Sequence, residues 1–253
     1  SLTHFQHAAK PVCSGFAACF FFRMCYDDYR PRMSVAQLGK LAASRLEALR
    51  AEGEELHPVV NTSKKLAAHF WGAAWMRHLA QCEAGGLSLA PGRTLLRHGC
   101  VLDLRISPGQ ITARVSADEL YDVHLRITPF DEEQTEALQQ ACSGRIDSLV
   151  ALLEGNIDAA VLEQLCAPET GLLPAPADWK MRCTCPDWTE PCPHAAAAIY
   201  AAGCLVDADP SLLFTLRCVD PSILLAAPAA PASPDSFDAA SLGATFGIDL
   251  DFE

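Results

Sequence analysis

The stretch Trp179-Lys-Met-Arg-Cys183-Thr-Cys185-Pro-Asp-Trp-Thr-Glu-Pro-Cys192-Pro-His194, followed by the alanine-rich run 195–202, decides how this chain is read. Three cysteines and a histidine supply three thiolates and an imidazole, the donor set of a closed tetrahedral zinc site. The spacing has a geometric reason. In an extended strand, residues i and i+2 face the same side, so Cys183 and Cys185 aim their sulfurs at one point while Thr184 looks away. Pro186 and Asp187 start a reversal, and Pro191 and Pro193 keep the return extended around Cys192. Pro193 stands where a helix can begin, with His194 in its first turn. The unit reads as strand, knuckle, return and helix, with Cys183, Cys185, Cys192 and His194 as ligands of one structural Zn2+. A redox CxC pair or a CxC metal-transfer site leaves Cys192 and His194 unexplained. Asp187 and Glu190 are read as solvated turn residues rather than partners of the ligands, and Lys180 and Arg182 as charges that offset the thiolates.

Upstream of this unit, 168–177 reads as a loop, and a change of period marks the other informative region. Cys100, Leu102, Leu104 and Ile106 alternate with Val101, Asp103, Arg105 and Ser107. Ser107-Pro108-Gly109-Gln110 supplies a turn before Ile111, Ala113 and Val115, and Tyr121, Val123, Leu125 and Ile127 form a third alternating run. Period-two patterning predicts a three-stranded antiparallel meander with one buried face. Its wet face carries Asp103, Arg105, Thr112, Arg114, Asp122, His124 and Arg126.

Helical spacing appears on both sides of the meander. Val35, Leu38, Leu41, Ala42, Leu46 and Leu49 recur from Ser34, a good N-cap, until Gly53. A second helix is expected from about Ser63 through Ala80, with Trp71 and Trp75 on one face as core anchors. Shorter helical patterns at 131–142, 146–153 and 157–165 are punctuated by Gly144 and Gly155. The expected class is α+β: an antiparallel β-meander packed with helices, a small strand-knuckle-helix zinc finger and a disordered acidic tail. The parts are an N-terminal extension at 1–25, a helical and β-meander region at 26–170, the finger and following helix at 171–220, and an Ala/Pro-rich tail at 221–253.

Composition narrows the chemistry. The chain has 253 residues and a formal net charge of −12, with 50% hydrophobic and 20% charged residues, which suits a folded domain with its own core. The charge is uneven, at +1 for 1–60, +3 for 61–128 and −16 for 129–253. An acidic balance disfavours simple nucleic-acid binding, which relies on clustered Lys and Arg. Twelve irregularly spaced cysteines in a chain of this length point to reduced thiols and a cytoplasmic setting. The apolar run 12–22 is too short to span a bilayer and lacks a small-residue cleavage pattern, so no membrane association is expected. His4, His7, Cys13, Cys19 and Cys25 are spaced too widely to be read as a second metal site.

The CxCPD element, the six-residue gap to CxH and the small-residue helix after it resemble the SWIM-type zinc finger. The chain is similar to the bacterial stand-alone SWIM proteins over roughly 26–220. The further elements are Trp71-Gly72-Ala73-Ala74-Trp75, Gly92-Arg93-Thr94, and the run Asp209-Pro210-Ser211-Leu212-Leu213-Phe214-Thr215-Leu216-Arg217. The resemblance implies the same four zinc ligands and a role in protein or DNA contacts, with a Swi/Snf-type helicase as partner. Relatives commonly carry Lys between the last Cys and the His, where this chain has Pro193.

No GxSxG, P-loop, GxGxxG or HExxH element is present in the sequence, and the chain is read as neither an enzyme nor a binder of a small-molecule substrate. Two functions follow. The first is a protein-interaction module docking a helicase or recombination/chromatin-type partner through its acidic half or the peptide Phe246-Gly247-Ile248-Asp249-Leu250. The second is a nucleic-acid-binding protein using Arg93, Arg97, Arg105, Arg114 and Arg126.

Overall fold

Alternating strands bury one face, and helices with broad apolar stripes must cover it. The computed structural model describes residues 33–146, 148–167 and 170–225, and within them this arrangement is realised as an α+β fold. The expectations on 1–25, on the five His and Cys of that segment and on the tail from 226 to 253 lie outside the described residues, whereas 221–225, assigned to that tail, forms a short 3-10 turn at Pro221–Leu224 with Leu224 buried.

Helix α1 (Val35–Ala51) begins as its capping box dictates. Ser34 Oγ accepts the Gln37 amide at 3.4 Å, and Gln37 Oε1 accepts the Ser34 amide at 2.8 Å. The chain then runs beside the sheet, where the Leu104 amide donates to the His57 carbonyl at 3.1 Å and Val59 bridges Val101. The second helix differs from the sequence expectation. Helix α2 is Phe70–Ala84, not 63–80. The Ser63 amide is taken by Asn61 Oδ1 at 3.0 Å, and the Ala68 and His69 amides by the Asp207 carboxylate at 2.9 and 2.7 Å, so a helix cannot form before residue 70. Helix α3 (Ala90–Arg97), hidden in the sequence by Pro91 and Gly92, has its proline in the first turn, where no amide is missed.

The meander forms as expected, with β1 (Val101–Ser107), β2 (Gln110–Ser116) and β3 (Leu120–Ile127). It gains a fourth strand. The strand that ends at Cys183, β4 (Trp179–Cys183), pairs antiparallel with β3, giving one sheet in the order β1-β2-β3-β4. Leu104, Ala113, Val123 and Cys183 lie opposite one another on the inner face, while Arg105, Thr112, His124 and Arg182 form the matching outer row. Val101, expected on the wet face, is buried instead, because the register shifts between Val101 and Asp103 and turns both Val101 and Leu102 inward.

Helices α4 (Glu132–Cys142), α5 (Leu149–Glu154) and α6 (Ala159–Leu165) follow, capped by Asp131, Ser148 and Asp158. Helix α7 (Pro193–Ala208) packs against the inner sheet face, with eleven of its 16 residues buried. A helix apolar on all sides must be enclosed, and α2, α3 and the short α8 (Ser211–Arg217) pack around it. Close approach depends on glycine. A Cβ on Gly92 of α3 would lie 2.3 Å from the Ala196 carbonyl carbon and the Ala197 nitrogen, and one on Gly72 of α2 would lie 2.3 Å from Asp207 Cβ. The three sequence elements outside the ligand cluster therefore converge on α7 or on the strand that feeds it. Trp75 Nε1 donates to the Ile199 carbonyl at 3.2 Å, and Arg93 reaches the Tyr200 hydroxyl at 2.6 Å. Arg217 is buried and ties α8 to the start of β4, with Nη1 3.0 Å from Asp178 Oδ2 and 2.8 Å from the Thr128 carbonyl.

Candidate metal centre

Cys183 closes β4 on the inner face. Thr184 still pairs with β3, donating its amide to the Asp122 carbonyl at 3.1 Å and accepting the Asp122 amide on Oγ1 at 3.0 Å. Cys183 and Cys185 thus alternate away from Thr184 as their spacing requires. The reversal is local, with Asp187 Oδ1 accepting the amide and hydroxyl of Thr189 at 3.0 Å each. Asp187 is therefore a turn residue, and Glu190 is exposed. Cys192 is the N-cap of α7, where its sulfur accepts the Ala195 amide at 3.4 Å; Pro193 occupies the first turn and His194 follows.

These placements bring one ligand atom from each of Cys183, Cys185, Cys192 and His194 within 4.8 Å of one another. His194 Nδ1 is 3.9 Å from Cys183 Sγ, and the Tyr121 ring of β3 lies against the imidazole with centroids 4.4 Å apart. The donors fit a metal ion, since sulfurs bound to one tetrahedral ion stand roughly 3.8 Å apart for bonds of about 2.3 Å. The four residues can hold a metal ion, anchored at one strand end and one helix start.

The electrostatics suit that task. The Cys183 thiol donating to Cys192, aided by His194 and the Ala195 amide, pulls the Cys192 thiol down to about 4 against the opposing effect of burial. The same bond, with burial, pushes Cys183 up, and burial raises Cys185. Cys192 is the natural thiolate, because it alone caps a helix, where amide dipoles favour negative charge. A bound cation would draw the remaining protons from the other two sulfurs.

The other described cysteines, Cys82, Cys100, Cys142, Cys166, Cys204 and Cys218, are free thiols outside the cluster. Burial pushes Cys100 and Cys166 up to about 11, which keeps them protonated.

The five arginines proposed from sequence do not form one patch. Arg93 and Arg97 sit on α3, the former bonded to Glu83 Oε2 at 3.0 Å and to Tyr200, the latter to the Lys64 carbonyl at 3.2 Å. Arg105, Arg114 and Arg126 share the outer sheet face. Arg105 bonds Asp103 Oδ2 at 3.2 Å and the Glu55 carbonyl at 2.6 Å, and Arg114 pairs with Glu54. Lys180 and Arg182 join that face with His124, on the side opposite Cys183. Among the described residues, the side chains of Arg126, Lys180 and Arg182 have no hydrogen-bond or ion-pair partner. Sequence reading missed the neighbours of the site, the Tyr121 ring against His194 and the Arg217–Asp178 pair at the entry to β4. The Asp-Pro run that ends at Arg217 was the one available pointer to the last of these.

No family model matches the chain, and no solved structure matches it. The uncharacterised protein Rv2102 of Mycobacterium tuberculosis is 27% identical over 171 residues, covering 66% of this chain and 61% of that protein. The chain thus spans less than two thirds of the length of this curated relative. Among the described residues, no helix is long and apolar enough to cross a membrane.

Proposed function

We propose that the cluster is a SWIM-type zinc site with a structural role, and that the protein is a non-enzymatic interaction module docking a helicase or recombination/chromatin-type partner. The gathering of four ligand atoms within 4.8 Å carries this reading. Zinc is favoured because three soft thiolates and an imidazole suit it and leave no fourth position for a water or substrate. The ion joins β4 to α7, so its chemistry is that of a clamp. The −16 charge of residues 129–253 supports a protein partner with a basic surface. Elemental analysis should find one zinc per chain, lost in Cys185→Ser; a metal-free preparation with an unchanged fold would refute the site. Affinity purification from the native host should recover a helicase-type partner, and recovery of none would refute the docking role.

A second reading has its own support. Arg126, Lys180 and Arg182 stand exposed on one sheet face, as phosphate-binding side chains would. It requires a mobility shift of DNA or RNA by micromolar protein that weakens steeply with salt.

A further inference from the structure

The free edge of β4 is a second feature of the metal unit. In the β3–β4 ladder the Thr184 amide bonds the Asp122 carbonyl and the Thr128 amide bonds the Asp178 carbonyl. Antiparallel alternation then turns the amides and carbonyls of Trp179, Met181 and Cys183 away from β3. The Trp179 amide is used locally by the Pro176 carbonyl. Among the described residues, nothing takes up the amide or carbonyl of Met181. Beside this edge, between β4 and the knuckle, lies a groove of about 330 Å³, lined by Met181, Arg182 and Cys183 on the strand side and by Asp187, Glu190 and Cys192 among others on the far side. An unpaired edge beside an open groove is a template for another strand.

The edge has two chemically distinct sides. Lys180 and Arg182 are exposed on the outer face, with no side-chain partner among the described residues, and Met181 is half-buried on the inner face. The sequence contains one segment with the complementary pattern. In Ile248-Asp249-Leu250-Asp251-Phe252-Glu253 apolar and acidic residues alternate with period two, and residues 226–253 hold five acidic and no basic side chains. A strand with that alternation presents three carboxylates on one face and three apolar side chains on the other.

The chain's path brings this segment within reach. Arg217 of α8 is bonded to Asp178, the residue before β4, and the described chain ends eight residues later at Leu225. Residues 226–247 number 22, and a random coil of that length has a root-mean-square span of about 26 Å and a maximum of roughly 75 Å. Both exceed the radius of gyration of about 16 Å expected for a domain of this size.

We propose that residues 248–253 of this same chain add to the free edge of β4 as a fifth strand, with Asp249, Asp251 and Glu253 beside Lys180 and Arg182 and the apolar side chains over Met181. Backbone bonds to Met181 supply the docking, and the charge pattern fixes which face of the tail points outward. This rests on the sheet edge and the tail's alternation, and is independent of which metal or partner the protein binds.

Hydrogen exchange on the full-length, metal-loaded chain tests it. The peptide spanning 179–183 should exchange at least about tenfold more slowly in the natural chain than in Leu250→Pro, with 101–127 unchanged. Reversing the tail charges with Asp249→Lys and Asp251→Lys should remove the protection, and adding Lys180→Glu and Arg182→Glu should restore it. Zero-length carbodiimide cross-linking should join Lys180 to Asp249 or Asp251 within one chain, which keeps the test decisive if the four-fold variant does not fold. Equal exchange in the natural chain and Leu250→Pro would overturn the proposal. So would protection that rises with protein concentration, which would assign the edge to a second copy. Protection that requires an added oligonucleotide would do the same and assign it to nucleic acid.

Discussion

The knuckle 184–191 and helix α7 are adjacent in sequence and are held by opposite means. From Asp187 to Glu190 the knuckle is exposed, with Trp188 81% accessible, and its shape depends on a local Asp187 turn and on the ligand atoms at its ends. Helix α7 is enclosed, and its position depends on the near-absence of side chains at Ala195 to Ala198 and at Gly92 opposite them. A loop with too little apolar surface to order itself needs an external centre to converge on. A helix of small residues needs only neighbours close enough to touch. The two regions should therefore fail differently.

Metal removal is the largest expected effect. Chelation, or Cys185→Ser, withdraws a contribution on the order of 10 kcal/mol. At about 2–4 °C per kcal/mol the unfolding temperature should fall by tens of degrees. Differential scanning calorimetry with and without chelator measures this; an unchanged transition would show that the knuckle needs no ion.

Gly92→Ala attacks the other region. Its new Cβ meets backbone at 2.3 Å, so α3 must separate from α7, at a cost of about 3 kcal/mol in urea denaturation. Gly85→Ala is the control, because its nearest contact is 3.4 Å away and its φ is −77°, and it should be near neutral. Equal effects at both sites would remove the contrast.

Arg217→Met tests the link between the regions. It strips the half-shielded Asp178 carboxylate of its partner at the entry to β4, and should cost about 2 kcal/mol with the metal retained. Loss of metal as well would show that β4 positions Cys183 less independently than its ladder suggests.

Apart from the Gly85→Ala control, the smallest effect belongs to a site outside both regions. Ser34→Ala removes the α1 cap and should cost about 1 kcal/mol, leaving metal content and α7 unchanged.

Much of this arrangement was legible because the signals are local. The alternation at 101–127, the cap at Ser34 and the spacing of Cys183, Cys185, Cys192 and His194 each depend on residues within a few positions of one another. What stayed hidden depends on distant partners. The pairing of Trp179–Cys183 with β3 joins residues more than 50 apart, and nothing within five residues announces it. The start of α2 is set by Asp207, 138 residues from His69. Helix α3 was masked because Pro91 and Gly92 read locally as breakers, while their meaning lies in the first turn and in the contact with α7. The five arginines shared a charge but not a surface, which only the topology could separate.

The position of α7 also bears on how the chain is made. The inner face of β1–β3 is complete once residue 127 has emerged from the ribosome, but the helix that covers it ends at residue 208. At about 5–20 residues per second the growing chain carries that apolar face uncovered for roughly 4–16 s. During synthesis this meander is therefore an aggregation hazard, and the late alanine helix is the element that ends it.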